Sequence, residues 1–389
     1  MSKAKIRMAM VGGGDGAFIG AIHRIAARLD GMIELVAGAF SSDANKCKAT
    51  GELLGLDSSR CYDSYQTLFA EEAKLPADER IDFVAIVTPN HLHFPVAKMA
   101  LEHGFHVLSD KPATLTLAEA EQLQSIIAKQ QVLYGLTHTY TGYPMVKEAK
   151  HRVKAGELGT IRKVIVEYTQ GWLSQSEDES SKQASWRLDT SKAGISCCMG
   201  DIGVHAANLA EYVSDLEITE LCADLNHVVE GRALDDDGTV LLRFNNGCKG
   251  VLLASQIAIG DENNLRLRIY GDKASLEWSQ LEPNSLWLRG HNQAATLLRA
   301  GVGELHPDTQ NALRAPAGHP EGYLEAFANI YRNFAAQIHA FKQGDNATNS
   351  AFDVPGINEA VRGMAFIEQV VASYNHQSDV KLFQMDNRK

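Results

Sequence analysis

A short strand-like run, a glycine-rich turn and an amphipathic helix follow one another at the start of the chain, and this combination most restricts the fold. Residues 6–11 are mostly apolar, residues 12–16 read Gly-Gly-Gly-Asp-Gly, and apolar side chains then recur at helical spacing as far as Leu29. Glycines let the backbone N–H groups at a helix N-terminus approach the pyrophosphate of a dinucleotide. The segment therefore predicts a Rossmann fold of the α/β class, a doubly wound parallel sheet that binds NAD or NADP. A glycine turn without a ligand is the alternative.

The glycine spacing supports two interpretations of this turn. Gly12-x-Gly14-x-x-Ala17 fits the short form of the dinucleotide motif, whereas Gly20 as the third glycine adds three residues to the turn. In both interpretations we predict that the same turn residues contact the cofactor: Gly12, Gly14, Asp15, Ala17, Phe18 and Ile19.

The second strand, residues 33–40, ends where the ribose of the cofactor should lie. Ser41, Ser42 and Lys46 offer hydroxyl donors and a cation there, which favours the 2′-phosphate of NADP. Asp43 keeps NAD open as the cofactor. These residues also fit a simple cap for a helix that begins near Ala44, and the two interpretations are compatible.

Polar residues follow two further strands of the predicted parallel sheet, at the edge where such sheets bind ligands. The strand at residues 81–87 leads into Thr-Pro-Asn-His-Leu-His, and the strand at residues 106–108 leads into Ser-Asp-Lys-Pro. We predict that six residues of these loops line the cofactor: Thr88, Pro89, Asn90, His93, Asp110 and Lys111. Lys111 is also a candidate cation for the substrate, although a loop lysine is more often simply solvated.

A second group of polar residues lies in Gly200-Asp201-Ile202-Gly203-Val204-His205. If this segment is helical, Asp201 and His205 are four residues apart and share one face. A carboxylate near an imidazole raises its basicity and fixes its tautomer, which suits a general base. The alternative is a buried histidine that a neighbouring carboxylate satisfies.

Four motifs together resemble one known family. Gly12-x-Gly14, Pro89-Asn90-x-x-His93, Asp110-Lys111-Pro112 and Gly200-Asp201-x-Gly-x-His205 occur in the order found in the Gfo/Idh/MocA family, which includes glucose-fructose oxidoreductase and inositol dehydrogenase. The resemblance covers nearly the whole chain and implies an NAD(P)-dependent oxidoreductase acting on a secondary alcohol or ketone of a sugar, cyclitol or glycoside.

The same resemblance implies roles for three residues. His205 is the general base, Asp201 orients it, and Lys111 binds the reacting oxygen, which agrees with the chemistry of these side chains. The chain departs from the family pattern at Asp110, where members commonly carry Glu, and in the lengthened glycine turn.

We expect a domain boundary after residue 136, with an NAD(P)-binding Rossmann domain at 1–136 and a substrate-binding and oligomerisation domain at 137–389. Alternating segments and an Asn-Asn-Gly turn at 245–247 predict that the second domain is α+β, with a large, mostly antiparallel, open-faced sheet. Apolar side chains on the open face of such a sheet have to be shielded from water, and family members often bury this face against another subunit. We therefore expect a homodimer or homotetramer. Residues 280–321 show little periodicity and predict a long loop or arm.

Candidate substrate-binding residues are aromatic or basic and lie near the predicted cleft, together with the three residues above. Trp faces stack on the C–H surfaces of sugars, and Arg donates to hydroxyl groups. The set comprises His138, Tyr140, Trp172, Trp186 and Arg187. Packing of a hinge segment, and a core Trp beside a surface Arg, are the alternatives.

Composition restricts the partners and the compartment. The 389 residues carry a formal net charge of −11, which disfavours nucleic acid as a partner. No apolar run approaches the roughly 18 residues of a membrane span, so no membrane partner is expected. Six scattered cysteines without C-x-x-C spacing fit free thiols in a reducing cytoplasm.

Two other classes of function compete with a dehydrogenase. A non-catalytic dinucleotide-binding sensor needs the Rossmann half but has no use for Lys111, Asp201 and His205 converging at one point. A metal hydrolase would draw on Asn90, His91, His93, Asp201 and His205, but these lack a helical H-x-x-x-H pair, and we predict no metal site.

Overall fold

The described residues form two β-sheets, of which the first is parallel and is covered by helices on both faces. The computed structural model describes residues 4–175, 186–345 and 352–376. The strands of this sheet are β1 (Ile6–Gly12), β2 (Ile33–Ala39), β3 (Phe83–Val87), β4 (His106–Ser109) and β5 (Tyr134–Leu136), in the order β2-β1-β3-β4-β5. The helices between them are α1 (Phe18–Leu29), α2 (Ala44–Leu53), α3 (Tyr65–Glu72), α4 (His93–Glu102) and α5 (Leu117–Gln130). Every residue of β3 is buried, as expected for a strand covered on both faces. The predicted Rossmann fold is confirmed.

The second sheet is mixed but mostly antiparallel, as predicted. Its strands are β6 (Ile161–Thr169), β7 (Ile218–Asn226), β8 (Asp237–Phe244), β9 (Lys249–Ser255), β10 (Asn264–Gly271), β11 (Ala274–Ser279), β12 (Ser285–Gly290) and β13 (Thr296–Arg299). They run in the order β13-β12-β11-β10-β6-β9-β8-β7, and β6 pairs with β9 in parallel while the other neighbours are antiparallel.

Helices cover one face of this second sheet. Among the described residues, helices α6 (Pro144–Lys154), α7 (Thr190–Ala193) and α8 (Val204–Ser214) precede β7, and α9 (Pro307–Asn311), α10 (Tyr323–Gln343) and α11 (Ile357–Asn375) follow β13. Along β8 the side chains alternate: Val240 and Leu242 are buried, whereas Leu241 is 56% exposed. One face therefore packs on the helices and the other stays open within the described chain.

The prediction of a long loop at residues 280–321 was wrong. β12, β13 and α9 lie within that range. β12 and β13 are short strands at the end of the sheet, and their apolar residues stand next to one another, so the sequence shows no alternation of apolar and polar side chains. They are strands because β12 pairs with β11, for example Leu288 opposite Leu276, and β13 then pairs with β12.

The last two described helices return to the first sheet. α10 packs against α1, and its aromatic side chains enter the core of the nucleotide-binding half. Phe334 meets Phe83 of β3 with ring centroids 5.5 Å apart. α11 packs on α5 and β5, and just ahead of it Pro355 O accepts a hydrogen bond from the Leu136 N–H at 2.7 Å. No helix among the described residues is long and apolar enough to cross a membrane.

Candidate active site

The glycine turn brings the start of α1 against the end of β1. Gly12 and Gly13 have φ angles of +86° and +70°, which L side chains rarely adopt. A Cβ on Gly20 would lie 2.4 Å from the Cα of Gly13, so the helix packs directly on the turn backbone. Gly20 thus has the close-packing role of the third glycine, and the interpretation with the lengthened turn is the one that the structure supports.

The N-terminus of α1 is open for an anion. Ala17 is the N-cap residue and supplies no capping side chain, so the first backbone N–H groups of α1 have no side-chain partner there. Asp15 and Phe18 are exposed, and Ala17 and Ile19 are partly exposed. A Cβ on Gly14 would meet Phe40 O at 2.8 Å, which leaves no room for a side chain. These features fit a pyrophosphate group.

The loop after β2 caps α2. The Asp43 carboxylate accepts hydrogen bonds from the backbone N–H groups of Asn45 and Lys46 at 2.9 and 3.2 Å, and Ser41 Oγ accepts from Asp43 N at 3.1 Å. The capping interpretation is confirmed. Ser42 and Lys46 are exposed, and their contact with a ribose phosphate stays a prediction.

The His93 side chain lies within hydrogen-bond distance of both the loop after β3 and the loop after β4. Its Nδ1 lies 2.6 Å from Pro112 O and its Nε2 lies 2.8 Å from Thr88 O, and the ring is buried. Both ring nitrogens therefore face backbone carbonyls of these loops. The neighbouring Asn90 donates from Nδ2 to Ala193 O at 3.2 Å, and the Thr88 hydroxyl is buried without a partner among the described residues.

Lys111 reaches from the first half of the molecule to Asp201 in the second. Lys111 Nζ lies 2.6 Å from Asp201 Oδ1 and 2.7 Å from Asp201 O. Behind it, Asp110 Oδ1 accepts from Lys111 N at 2.9 Å and from Thr137 Oγ1 at 2.8 Å. Asp110 thus fixes the loop backbone that carries the lysine, which sits at the predicted edge of the sheet.

The Asp201 carboxylate is held by three side chains. Besides Lys111, Gln256 Nε2 donates to Asp201 Oδ2 at 3.0 Å and Arg187 Nε lies 3.3 Å from the same oxygen. Burial opposes ionisation of Asp201, but Arg187 and Lys111 outweigh it and hold the pKa of the carboxyl well below its usual range. Asp201 is therefore an anion at neutral pH. Gln256 is absent from the predicted site residues, and its position directly after a strand was the available signal.

The segment around Asp201 differs from the predicted α-helix. Met199–Gly203 form a π-helical turn, and α8 begins at Val204. Within the described chain, the Asp201 carboxylate meets Lys111, Gln256 and Arg187, whereas His205 Nδ1 lies 3.2 Å from His138 Nδ1. The expected partner of His205 is thus replaced by a second histidine, because the carboxylate turns to the nearby cations.

His205 is buried in an uncharged form at neutral pH. Burial lowers the pKa of His205 well below its usual range, and Lys111 lowers it further, while Asp201 opposes the shift. The ring contacts Tyr140 edge-on, with centroids 5.0 Å apart. The uncharged imidazole of His205 can therefore accept a proton, and the Lys111 cation lies near it.

A chain of hydrogen bonds runs from Tyr140 toward the surface. The Tyr140 and Tyr168 hydroxyls are hydrogen-bonded, and Asn263 donates to Tyr140 at 3.2 Å and accepts from Tyr168 at 2.7 Å. Gln170 donates to Asn263 at 2.6 Å and accepts from Trp172 Nε1 at 2.8 Å. Tyr168, Gln170 and Asn263 are not among the predicted site residues.

The predicted tryptophan and arginine residues come together beside Asp201. The Arg187 guanidinium lies 4.4 Å from the Trp186 ring centroid and 5.7 Å from that of Trp172. Trp172 is 43% exposed. An arginine between two aromatic rings, with its Nε on a carboxylate, presents both apolar faces and hydrogen-bond donors to the cleft.

Two other features lie apart from this group. A cavity of about 720 Å³ between α8, β7 and α11 contains none of Lys111, Asp201 and His205. On α6 and at α9, His151 Nε2 lies 3.1 Å from Asp308 Oδ2, and the rings of His151 and His306 stack with centroids 3.4 Å apart. His151, His306 and Asp308 each offer one ligand atom, and these atoms lie within 4.8 Å of one another, so the group that joins α6 to α9 could hold a metal ion.

A Rossmann half and a Lys-Asp-His group at one cleft define an NAD(P)-dependent oxidoreductase. Residues 6–138 match the model of the oxidoreductase family with an NAD-binding Rossmann fold, and residues 146–277 match the GFO/IDH/MocA C-terminal domain. The chain belongs to the Gfo/Idh/MocA family.

Three relatives illustrate this membership. The chain is 37% identical over 377 residues to the Bacillus subtilis (strain 168) oxidoreductase YfiI, covering 96% of this chain and 95% of that one. It resembles an inositol dehydrogenase homolog from Azotobacter vinelandii, solved with NAD+ (37% identity, TM-score 0.93) and with NADH and myo-inositol (36% identity, TM-score 0.90), each covering 96% of both chains. It is 27% identical over 294 residues to levoglucosan dehydrogenase of Pseudarthrobacter phenanthrenivorans, covering 70% of this chain and 73% of the relative.

Proposed function

We propose that this chain catalyses hydride transfer between the nicotinamide of NAD(P) and a secondary alcohol carbon of a cyclitol or sugar. The observation that carries the proposal is the convergence of Lys111, from the edge of the first sheet, with Asp201 and His205 of the second half. A dinucleotide-binding sensor, the competing function, has no need for a cation and an uncharged base at one point.

The cofactor would lie along the carboxyl edge of the first sheet. Bound there, it supplies or accepts the hydride at C4 of its nicotinamide ring. We propose that the uncapped start of α1 and the glycine turn hold the pyrophosphate, through Gly12, Gly14, Asp15, Ala17, Phe18 and Ile19. The nicotinamide half would meet the loops after β3 and β4, at Thr88, Pro89, Asn90, Asp110 and Lys111, with His93 fixing both loops from behind.

The reaction needs a base and a cation at the same oxygen. In oxidation, His205 takes the hydroxyl proton, and Lys111 donates a hydrogen bond to the same oxygen and favours its anionic form. Asp201 keeps Lys111 in place, since it already accepts from Nζ. In reduction the same groups act in reverse, with His205 returning the proton.

The substrate class follows from the side chains around these three. Tyr140, Trp172, Trp186 and Arg187 provide hydroxyl, indole and guanidinium groups that suit a ring bearing several hydroxyls. A cyclitol is the first choice, because the Azotobacter vinelandii homolog binds myo-inositol, and an anhydrosugar such as levoglucosan is the second.

Some observations favour NADP as the cofactor and others favour NAD. Ser41, Ser42 and Lys46 favour NADP, whereas the two complexes of the Azotobacter vinelandii homolog hold NAD+ and NADH. We infer that NAD is preferred, since a similar complete chain binds it. NADP is the alternative, and a higher kcat/KM with NADP than with NAD would establish it.

Association through the second sheet is also part of the proposal. Apolar side chains on its open face are substantially exposed, with Leu241 at 56% and Trp287 at 37%. A homodimer or homotetramer would cover them. All six cysteines are free thiols, which supports the cytoplasm as the compartment.

The test is a screen of cyclitols, sugars and glycosides for reduction of NAD and of NADP by the purified full-length protein. We expect turnover with at least one polyol and a loss of about 10²-fold or more in His205→Ala, the usual scale for a proton-transfer group. His319→Ala, at an exposed histidine, is the matched control and should retain full activity. Tight NAD binding with no turnover across the screen would favour the sensor instead.

A further inference from the structure

Two buried histidines meet at the candidate active site, and their contact links the proton positions on both rings. His138 Nδ1 and His205 Nδ1 lie 3.2 Å apart, with ring planes at 79°. Burial lowers the pKa of His138 to about 3, and it also lowers the pKa of His205. Both rings are therefore uncharged at neutral pH, and two uncharged imidazoles joined through Nδ1 share one proton at that contact.

The direction of this hydrogen bond decides whether His205 can act as a base. If His138 donates, the proton of His205 is on Nε2, and no lone pair remains for a substrate hydroxyl. If His205 donates, its Nε2 carries the lone pair, and the proton of His138 is on its own Nε2. Catalysis by His205 requires the second arrangement.

The second arrangement leaves a buried donor on His138. His138 is 1% exposed, and its Nε2 is buried without a hydrogen-bond partner among the described residues. Its main chain is fixed, because His138 O accepts from Thr141 Oγ1 at 2.9 Å and His138 N donates to Leu136 O at 2.9 Å. In this arrangement the buried Nε2–H group of His138 has no acceptor among the described residues. A buried donor without an acceptor costs free energy, so an acceptor from a bound molecule would stabilise the arrangement.

We propose that His138 is a positioning residue for proton transfer, which accepts the hydrogen bond of His205 Nδ1–H and donates its own Nε2–H to an oxygen of the molecule bound in the cleft. The inference rests on the proposed function, because it takes His205 as the base. An acceptor oxygen on the bound molecule satisfies the buried donor and so selects the tautomer in which His205 Nε2 is free.

The proton transfer balances within this arrangement. In oxidation the substrate O–H bond breaks and the proton forms a bond with His205 Nε2, while the hydride leaves the adjacent carbon for the nicotinamide. His205 Nδ1–H keeps its bond to His138 throughout, so the imidazolium that forms has an acceptor. The titratable and charged groups that face His205 are Lys111, His138, Asp201, Asp110, Tyr140 and Tyr168.

Three variants separate the two functions of the His138 ring. His138→Asn keeps an acceptor near the position of Nδ1, His138→Gln keeps a donor near the position of Nε2, and His138→Leu keeps neither. We expect kcat to fall about 10²-fold in the Leu and Gln variants. The Asn variant should keep kcat within a few-fold and raise KM, because it loses the distal donor.

The pH profile of kcat distinguishes the two possible roles of His138, because loss of a packing contact alone would not shift the ionisation of His205. Without an acceptor for Nδ1–H, the His205 imidazolium is less stable, so its ionisation should shift downward by about one pH unit in the Leu and Gln variants and stay in place in the Asn variant. Equal losses in all three variants, with an unchanged profile, would assign His138 to packing and overturn the proposal. Melting temperatures of the variants verify that each one folds.

A measurement that needs no turnover separates this inference from the proposed reaction. Nitrogen-15 spectra of histidine-labelled full-length protein, before and after addition of NADH and myo-inositol, report which ring nitrogens carry protons. Protonated His205 Nδ1 and His138 Nε2 in the ligand-treated sample support the tautomer, even if no polyol is oxidised. A proton on His138 Nδ1 in both samples overturns it, whatever the activity screen shows.

Discussion

The two halves of the molecule position their functional side chains by different means. In the parallel half, Thr88 and Lys111 lie on loops directly after buried strands, so backbone topology places them. In the antiparallel half, Asp201 and His205 lie on a π turn and a helix across one face of the sheet, and side-chain hydrogen bonds hold them. The first half depends on close backbone packing, and the second depends on a network of polar side chains.

This difference indicates which changes each half tolerates. Substitutions at the glycine turn should mainly reduce folding stability, because a side chain there meets backbone. Substitutions in the polar network should mainly change turnover or substrate choice, because its members sit at the cleft and can be re-paired with other hydroxyls or amides.

The largest expected effect falls on the residue that joins the two halves. Lys111→Met removes the cation but keeps much of the side-chain bulk, and we expect kcat to fall by about 10²-fold or more, the scale for loss of one electrostatic donor at a reacting oxygen. Steady-state kinetics on the best polyol measures it. Lys111→Arg keeps the charge and should retain more activity than Lys111→Met. Equal kcat in the wild type and both variants would mean that the first half supplies no group for the reaction.

A pair of glycine substitutions compares backbone packing in the two halves. Gly20→Ala places a Cβ 2.4 Å from the Cα of Gly13, so we expect a loss of about 2 kcal/mol in the free energy of unfolding. In Gly200→Ala the nearest atom to the new Cβ lies at 3.9 Å, and stability should change by less than about 0.5 kcal/mol. Urea unfolding of both variants measures the contrast, and similar losses would contradict it.

Acid should destabilise the parallel half through His106. Burial lowers the pKa of His106 to about 4, and its Nδ1 accepts a hydrogen bond from Leu133 N at 3.0 Å. Because the folded-state pKa lies below the unfolded value of about 6.5, the unfolded chain binds the proton first. Stability from this group is complete above pH 6.5 and falls by about 1.4 kcal/mol per pH unit down to pH 4.

His106→Gln tests this dependence, since it should remove that part of the slope between pH 6.5 and 4.5 in urea unfolding. His319→Gln, at an exposed histidine, is the control and should leave the slope as in the wild type. An unchanged slope in His106→Gln would show that other groups, among them His205 in the other half, dominate acid unfolding.

The smallest expected effect on stability concerns the open face of the second sheet. Leu241→Lys changes a side chain that is 56% exposed, so the fold should persist while association weakens. Light scattering at a series of concentrations measures the mass. The neighbouring Leu242→Lys, at a residue 2% exposed on the covered face, should instead prevent folding. An unchanged mass in Leu241→Lys would place the subunit contact elsewhere.

The sequence predicted the parallel half well, because its signals are local. Its strands are mostly apolar, and polar residues follow β3 and β4 directly, as at Thr88 and Asp110. Asn263 was missed because pairing between distant strands brings it to the cleft and no local pattern marks it, whereas the one signal for Gln256 was its position directly after β9. The partner of His205 was also missed, since the choice of Asp201 between an imidazole and two cations depends on the π turn and on Arg187. β12 and β13 were missed because they are short and their apolar residues do not alternate with polar ones.

The return of α10 to the first sheet limits how this enzyme can be recombined with its relatives. Phe327 and Phe334 of α10 fill the core beside Phe83, so a nucleotide-binding half cut after residue 138 would present that apolar surface to water. A chimera that exchanges cofactor modules has to exchange α10 and α11 together with residues 6–138.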